Sequence, residues 1–408
     1  MCLLALMVTA ATYARSAIGP LQEALRSAMA LSDNQIAFVQ GPAQALPIVT
    51  LAVPLGLLVD RYRRNYLLCL FMAMSLTGGA LTAMAPNLGW LAAARAIIGI
   101  SATAVLTVCM SLLADIYPPE RRGRATMILV ISQMGGNAIA FWSGGTLLSH
   151  FGSAPDSWRE TVLWLTVPPT VMAAVPLIIN EPAHRESRAL AELTKSPEQR
   201  RLWRHRSLLV PLMASIVMLE MAFGAAYVWA APAFSRAFGL APDQVGRILA
   251  GAMLVSGVLG PVGGGFLADY CQRSGGAESA LKAAIGLAAV ALPLAAFAIA
   301  GQAALASSML VLFLVLVEAG IVLGTSLITV VVPAEVRGLA LAVLLSVGTV
   351  VGLGVAPMAV SFVSSVLGRG PAGVGESLSV CGALSCILSS IGFGLSRSAI
   401  SRQNVPAT

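Results

Sequence analysis

Gly56-Leu57-Leu58-Val59-Asp60-Arg61-Tyr62-Arg63-Arg64 returns 209 residues later as Gly265-Phe266-Leu267-Ala268-Asp269-Tyr270-Cys271-Gln272-Arg273. The spacing is about half of the 408-residue chain. Each copy sits where a long apolar stretch meets a few charges. A Gly/Asp/Arg turn recurring at that distance between apolar runs predicts two related helical bundles in one chain.

Composition says what those runs face. The chain is 57% hydrophobic and 11% charged, with a mean hydropathy of +0.84. A soluble domain carries about 25% charge, so most of this surface faces lipid. A spanning helix needs roughly 20 apolar residues, and lipid offers the backbone no hydrogen-bond partner. The runs are continuous rather than alternating, which predicts helices over a barrel. Twelve spans are expected, near 2–23, 35–58, 66–85, 90–113, 125–148, 161–179, 207–231, 244–267, 280–300, 304–331, 339–365 and 376–396. Since no Lys or Arg precedes Arg15, the N-terminal run reads as a first span rather than a cleaved signal peptide.

The net charge of +7 does not point to nucleic acid, because the bases gather in short loops. Eighteen Lys and Arg fall on one side of the spans. Arg26, Arg159, Arg236, Arg247 and Arg369 fall on the other. By the positive-inside rule both ends are expected to be cytoplasmic, and the chain is read as a protein of the inner membrane. The one long polar stretch, residues 180–206, is a basic linker between a first six-helix bundle (1–179) and a second (207–408).

Two further pairs extend the repeat. Leu31-Ser32-Asp33-Asn34-Gln35-Ile36 answers Leu240-Ala241-Pro242-Asp243-Gln244-Val245, again 209 apart. Pro118-Pro119-Glu120-Arg121-Arg122-Gly123-Arg124 answers Val332-Pro333-Ala334-Glu335-Val336-Arg337-Gly338, now 215 apart. The extra residues fit the longer loop at 274–279. Parallel repeats of six spans are a transporter architecture.

These motifs resemble the major facilitator superfamily. Its loop between spans 2 and 3 is matched by Gly56, Leu58, Asp60, Arg61 and Arg64, and again by Gly265, Leu267, Ala268, Asp269 and Arg273. Arg95 and Gly99 fit its span 4 pattern. Within it, Asp60-Arg61-Tyr62-Arg63-Arg64-Asn65-Tyr66 after Ser32-Asp33-Asn34-Gln35 looks like the spinster-like branch. Ala14 and Ser101-Ala102 stand where that branch tends to carry acids. The resemblance implies two pseudo-symmetric six-helix bundles and secondary active transport by alternating access. The expected cargo is a small organic anion or amphiphile, with protons as the driving ion. A lysolipid or drug exporter, or a transport-inactive membrane sensor or scaffold, are the alternatives.

Arg15, Arg95, Glu220 and Glu318 lie within apolar runs, where a charge costs a few kcal/mol. The resemblance puts all four on cavity-lining spans. Arginine matches carboxylate or phosphate geometry, so Arg15 and Arg95 are candidate anion ligands, and Glu220 and Glu318 candidate proton carriers. The competing reading is Arg–Glu pairs that hold structure alone. Gln133, Asn137 and Tyr227, with Gln40, Gln44, Trp142 and Trp229, are pocket candidates, and Glu23 belongs to the outer mouth. Gly56, Asp60, Arg61 and Arg64, with Asp115, and Gly265, Asp269 and Arg273 form the expected conformational latch. Asp60 is expected against the helix start near Gly338, Asp269 near Gly123, and Arg61 or Arg64 against Asp115. The six cysteines and three histidines have no metal-ligand spacing, and no phosphate-binding loop is present. No metal, cofactor or catalysis is expected of this chain, which is read as a monomer in the bilayer.

Overall fold

The computed structural model of the chain describes residues 1–152, 154, 156–178, 206–367 and 373–403. Asp60, Glu120 and Glu335 are described in their backbone only. The 180–205 part of the basic linker and Arg369 lie outside the described residues.

The first helix, α1 (Cys2–Ser16), is followed by the short α2 (Gln22–Ala28). Next come α3 (Asp33–Gln40) and α4 (Pro42–Arg61), one span in two pieces. Gly41 leaves the helical region between them, and Pro42 restarts the helix at its first position, where a missing N–H costs nothing. Then follow α5 (Arg64–Ala83), α6 (Leu88–Ile116) and α7 (Pro119–Phe151). A sixth span is divided into α8 (Ser157–Leu165), α9 (Val167–Ala174) and a 3-10 turn, Val175–Ile178.

The second half begins with α10 (Arg206–Phe238). In α11 (Pro242–Leu294), Gly275 and Gly276 leave helical geometry, and Gly276 has φ +61°. Two spans therefore meet there, in the expected loop. After a 3-10 turn (Ala295–Ile299) come α12 (Ala303–Val331) and α13 (Ala334–Gly348). A π-helical stretch, Thr349–Val355, joins α13 to α14 (Ala356–Val366), and α15 (Val374–Gln403) completes the described fold.

Nine helices among the described residues are long and apolar enough to cross a membrane. One of them, 242–299, is the pair merged across Gly275 and Gly276. With the shorter Cys2–Ser16 and the divided 157–178 segment, twelve spans result, as the sequence predicts. The fold is all-α.

The helices pack into two compact units. One holds Met1–Arg188 with Ala231–Leu254; the other holds Ala189–Ala230 with Val255–Thr408. The core of the first runs through α1, α4, α5, α6 and α7, around Met7, Leu68, Met72, Val105, Leu112 and Leu129. In lipid, helices gain little from hydrophobicity and associate where small residues let backbones approach. Gly136 shows this: a methyl group there would lie 2.5 Å from the Thr9 carbonyl.

The repeats survive as geometry. Ser32 and Gln35 form a full capping box on α3, with Gln35 N–H donating to Ser32 Oγ at 3.2 Å and Ser32 N–H to Gln35 Oε1 at 2.8 Å. In the second copy Ala241 N–H donates to Gln244 Oε1 at 3.1 Å, but Ala241 has no hydroxyl to return. Ser149 of α7 supplies one instead, accepting from Asp243 N–H at 3.1 Å. The copies 215 apart also agree. Arg122 reaches back to the Tyr117 carbonyl at 3.0 Å, and Arg337 to the Val332 carbonyl at 3.3 Å. Each arginine closes the end of the preceding helix, where cations are favoured.

Candidate functional site

The opening signature ends α4 and starts α5. Gly56 is half-buried and Arg61 exposed. Arg64 is buried and its guanidinium pairs with Asp115, the penultimate residue of α6. Arg63 instead lies over the Tyr66 ring, 5.4 Å from its centroid. In the second copy Gly265 is half-buried, and Asp269 and Arg273 are exposed. Neither has a hydrogen-bond or ion-pair partner among the described residues. Among the described residues, the first copy is thus tied to its bundle by an ion pair and the second has no such pair.

In the first unit Arg95 is 2% exposed. Its Nη2 donates to the Arg15 carbonyl at 2.8 Å and to Gln40 Oε1 at 3.3 Å. Gln40 in turn reaches Gln22 at 3.4 Å, and Gln44 donates to the Gln40 carbonyl at 2.9 Å. The cavity beside Arg95, lined also by Ser75, Thr82 and Thr166, measures about 20 Å³, enough for one water. Arg95 therefore holds α1, α3 and α6 together. Arg15 is half-buried, and its guanidinium has no partner among the described residues. Asn137 is buried on α7 and accepts from Ser16 Oγ at 2.6 Å. Gln133, one turn away, is half-buried. Trp142 is 53% exposed, whereas Trp229 of the second unit is fully buried and donates to the Pro357 carbonyl at 3.0 Å.

A charge cluster that the sequence did not announce closes the other end of the first unit. Arg236 grips two carboxylates at once. Its Nε and Nη2 reach Glu23 at 3.0 and 2.6 Å, and its Nη1 and Nη2 reach Asp33 at 2.9 and 2.8 Å. Arg26 stands 3.5 Å from Glu23 and 3.9 Å from Asp33. Two cations and two anions leave the cluster neutral, and paired forks are the strongest arginine geometry. Sequence reading placed Glu23 at the outer mouth but used Arg236 only to set orientation. Beside it, α7 and the start of α11 cross at Gly145 and Gly246. A methyl group on Gly246 would lie 2.5 Å from the Phe141 carbonyl.

The second unit holds the two in-membrane acids. Glu220 of α10 is half-buried against α13 and the π-helical stretch. A methyl group on Gly348 would lie 2.9 Å from its Oε2, and one on Gly352 2.9 Å from its carbonyl oxygen. Glu318 of α12 is half-buried across from Gly260 and lies within electrostatic reach of Glu220. Neither carboxyl has a hydrogen-bond donor or cation beside it among the described residues. Gly324 packs on Ile216 and Gly320 on Leu219. That antiparallel register sets Glu318 level with the turn of α10 that follows Glu220. Tyr227, on the same face of α10, stacks with Phe223 at 6.4 Å between centroids and 16° between planes.

Comparison with known proteins agrees with this architecture. A triacylglyceride transporter of Mycobacteroides abscessus is 32% identical over 152 residues, 35% of this chain and 28% of that protein. The chain thus covers less than a third of the length of this relative. A bacterial homolog of the human lysosomal transporter Spinster, solved inward-facing and unoccupied, superposes with a TM-score of 0.82. It is 19% identical, and the match covers 100% of this chain and 98% of that one. The nucleoside transporter NupG superposes with a TM-score of 0.76 at 11% identity, over 96% and 99% of the two chains. The model of the Major Facilitator Superfamily matches residues 4–357, and with twelve spans built from a parallel repeat the chain belongs to that superfamily of membrane transporters.

Proposed function

We propose that the chain is a secondary active transporter of the inner membrane, with both ends cytoplasmic, that moves an amphiphile by alternating access at the expense of a proton gradient. The supporting observation is the pair Glu220 and Glu318, two carboxyls within the spans that feel each other and have no donor or cation beside them among the described residues. Acids at that depth are costly and mark ion pathways. In this reading they load and release protons, the Asp60–Arg64 turn and its 265–273 copy act as the latch, and the Arg236 cluster fixes the outer end of the first unit. An amphiphile as cargo follows the name of the mycobacterial relative, a triacylglyceride transporter.

An organic anion is the second reading. Arg15 favours it, as a half-buried guanidinium without a partner among the described residues. Arg95 is its positioning residue, bonded to the Arg15 carbonyl. Reconstitution in proteoliposomes tests both, with lysolipid, neutral lipid and organic anion probes, with and without a pH gradient. Flux of a lipid-like probe that rises with the gradient is expected. Flux indifferent to the gradient would remove the proton, and no flux of any probe would leave a membrane scaffold.

A further inference from the structure

A cavity of about 700 Å³ opens at the end of the first unit that carries the Arg236 cluster. It lies between α2, the end of α7, the start of α8 and the start of α11. The cavity beside Arg95 has room for one water. This one falls within the range of sites that take small organic ligands, about 300–1,000 Å³. Gly152 helps to make the room. It ends α7 at φ +80°, and nothing lies within 4 Å of where its side chain would start.

The wall has two characters. Ala24, Ala28, Leu148 and Pro242 form an apolar part, and Ser27, Ser149, Ser157 and Asp243 a polar one. Among the described residues no cation and no aromatic ring lines it.

The polar part is rich in acceptors and short of donors. Ser157 Oγ donates its proton to the Ala154 carbonyl at 2.7 Å. Ser149 Oγ donates to Asp243 Oδ1 at 3.3 Å and accepts from Asp243 N–H at 3.1 Å. The other oxygen of Asp243 accepts from Arg247 at 2.8 Å. A carboxylate offers about four lone-pair positions and a hydroxyl two, so acceptor positions remain on all three side chains. Among the described residues that line the cavity, only Ser27 keeps an uncommitted hydroxyl. A ligand that completes this wall brings hydrogen-bond donors, and carbon to lie against the apolar part.

The flanking charges decide which donors. Asp243 is paired with Arg247, Asp156 with Arg159 at 3.2 Å, and Arg26 stands in the neutral cluster. Among the described residues beside the cavity, the exposed Glu160 is the one charge outside a pair. An ion entering here would lose water without gaining a counter-ion on the wall. Hydroxyl groups supply donors without charge.

We propose that this cavity binds the head group of a neutral hydroxyl-bearing amphiphile, of the glycerol monoester class. The hydroxyls donate to Asp243, Ser149 and Ser157, and the first carbons of the chain lie against Ala24, Ala28 and Leu148. The inference goes beyond the transporter reading: the site lies within the first unit and uses neither Glu220, Glu318 nor Arg15.

The test uses the purified full chain in lipid nanodiscs. The probe is a monoacylglycerol with a photoreactive diazirine near its glycerol end. The competitors are 1-monocaprylin, its dimethyl ether, which keeps the oxygens and loses both donors, and octylammonium. Illumination and peptide mass spectrometry should place the label within residues 24–28, 148–157 and 241–243. 1-Monocaprylin should suppress that label, and the dimethyl ether should need a roughly ten- to hundredfold higher concentration. Asp243→Asn, which turns an acceptor into a donor, should weaken competition roughly tenfold. Ala154→Trp, which fills the cavity and keeps every polar group, should remove the label at an unchanged melting temperature. Ser27→Ala, on the exposed side of the wall, should lower it only a few-fold. Label confined to other segments, the ether or octylammonium competing as well as 1-monocaprylin, or a folded Ala154→Trp variant labelled like the parent would each overturn the proposal. If the cavity stays unlabelled while a lipid-like probe is still driven by protons in vesicles, this inference alone fails and the transporter reading stands.

Discussion

The two units treat charge in the membrane in opposite ways. In the first, Arg95 is buried and its hydrogen bonds end on Gln40 and the Arg15 carbonyl. Arg64 is buried and paired with Asp115. In the second, Glu220 and Glu318 have no such partners among the described residues. A charge embedded in donors and acceptors holds helices together. A charge without them stays available to bind and release. In the proposed reading, the bonded cations of the first unit therefore serve structure and the acids of the second serve exchange.

The comparison breaks first at the acids. Glu220→Gln or Glu318→Gln should cost about 10² or more in proton-driven flux, the usual scale for losing a proton-transfer group, and leave thermal stability almost unchanged. A melting temperature that falls with the flux would make the acids structural. Arg64→Ala should do the reverse. It leaves the half-buried Asp115 without its cation, which costs about 1–3 kcal/mol, seen as a drop in the melting temperature of the detergent-solubilised protein. An unchanged melting temperature would mean that Asp115 is hydrated.

Arg236→Gln is intermediate. It strips a fork from both Glu23 and Asp33, but Arg26 remains near both, so about 1–3 kcal/mol is expected. Disulfide-free crosslinking of α2 to the end of α10 should fall with it. Arg15→Gln sharpens the contrast within the first unit. Its guanidinium has no hydrogen bond to lose among the described residues, so stability should move by less than about 0.5 kcal/mol. Selective loss of anionic cargo would support the organic anion reading. Ser149→Ala tests the repeat itself. It removes the borrowed cap from Asp243 N–H and should cost about 1 kcal/mol, whereas Ser32→Ala removes the local cap of the first copy at a similar cost.

The spans, the repeat and the glycine-bearing turns were legible in the sequence, because each rests on a local pattern: an apolar run, a fixed offset, a charged loop. The in-membrane charges were legible as well, since any Arg or Glu stands out in an apolar run. Their partners were not. Arg95 bonds to a main-chain carbonyl, and every residue carries one. Ser149 caps a helix 94 positions away, which no capping motif encodes. The π-helical Thr349–Val355 is one Thr followed by Val, Gly and Leu, which reads as an ordinary helix. The aromatic pair on α10 follows a helical period, but a stripe inside an all-apolar helix has no polar face to stand against.

The Arg236 cluster also constrains how the chain can be made. Glu23 and Asp33 enter the membrane region early, 213 and 203 residues before the arginine that grips them. At about 5–20 residues per second, translation alone keeps them waiting for tens of seconds. During that interval Arg26, three residues beyond Glu23, is the cation that translation has already delivered to them. The first unit is finished only when a piece of the second half of the sequence arrives, so its maturation ends after the midpoint of synthesis and not at it.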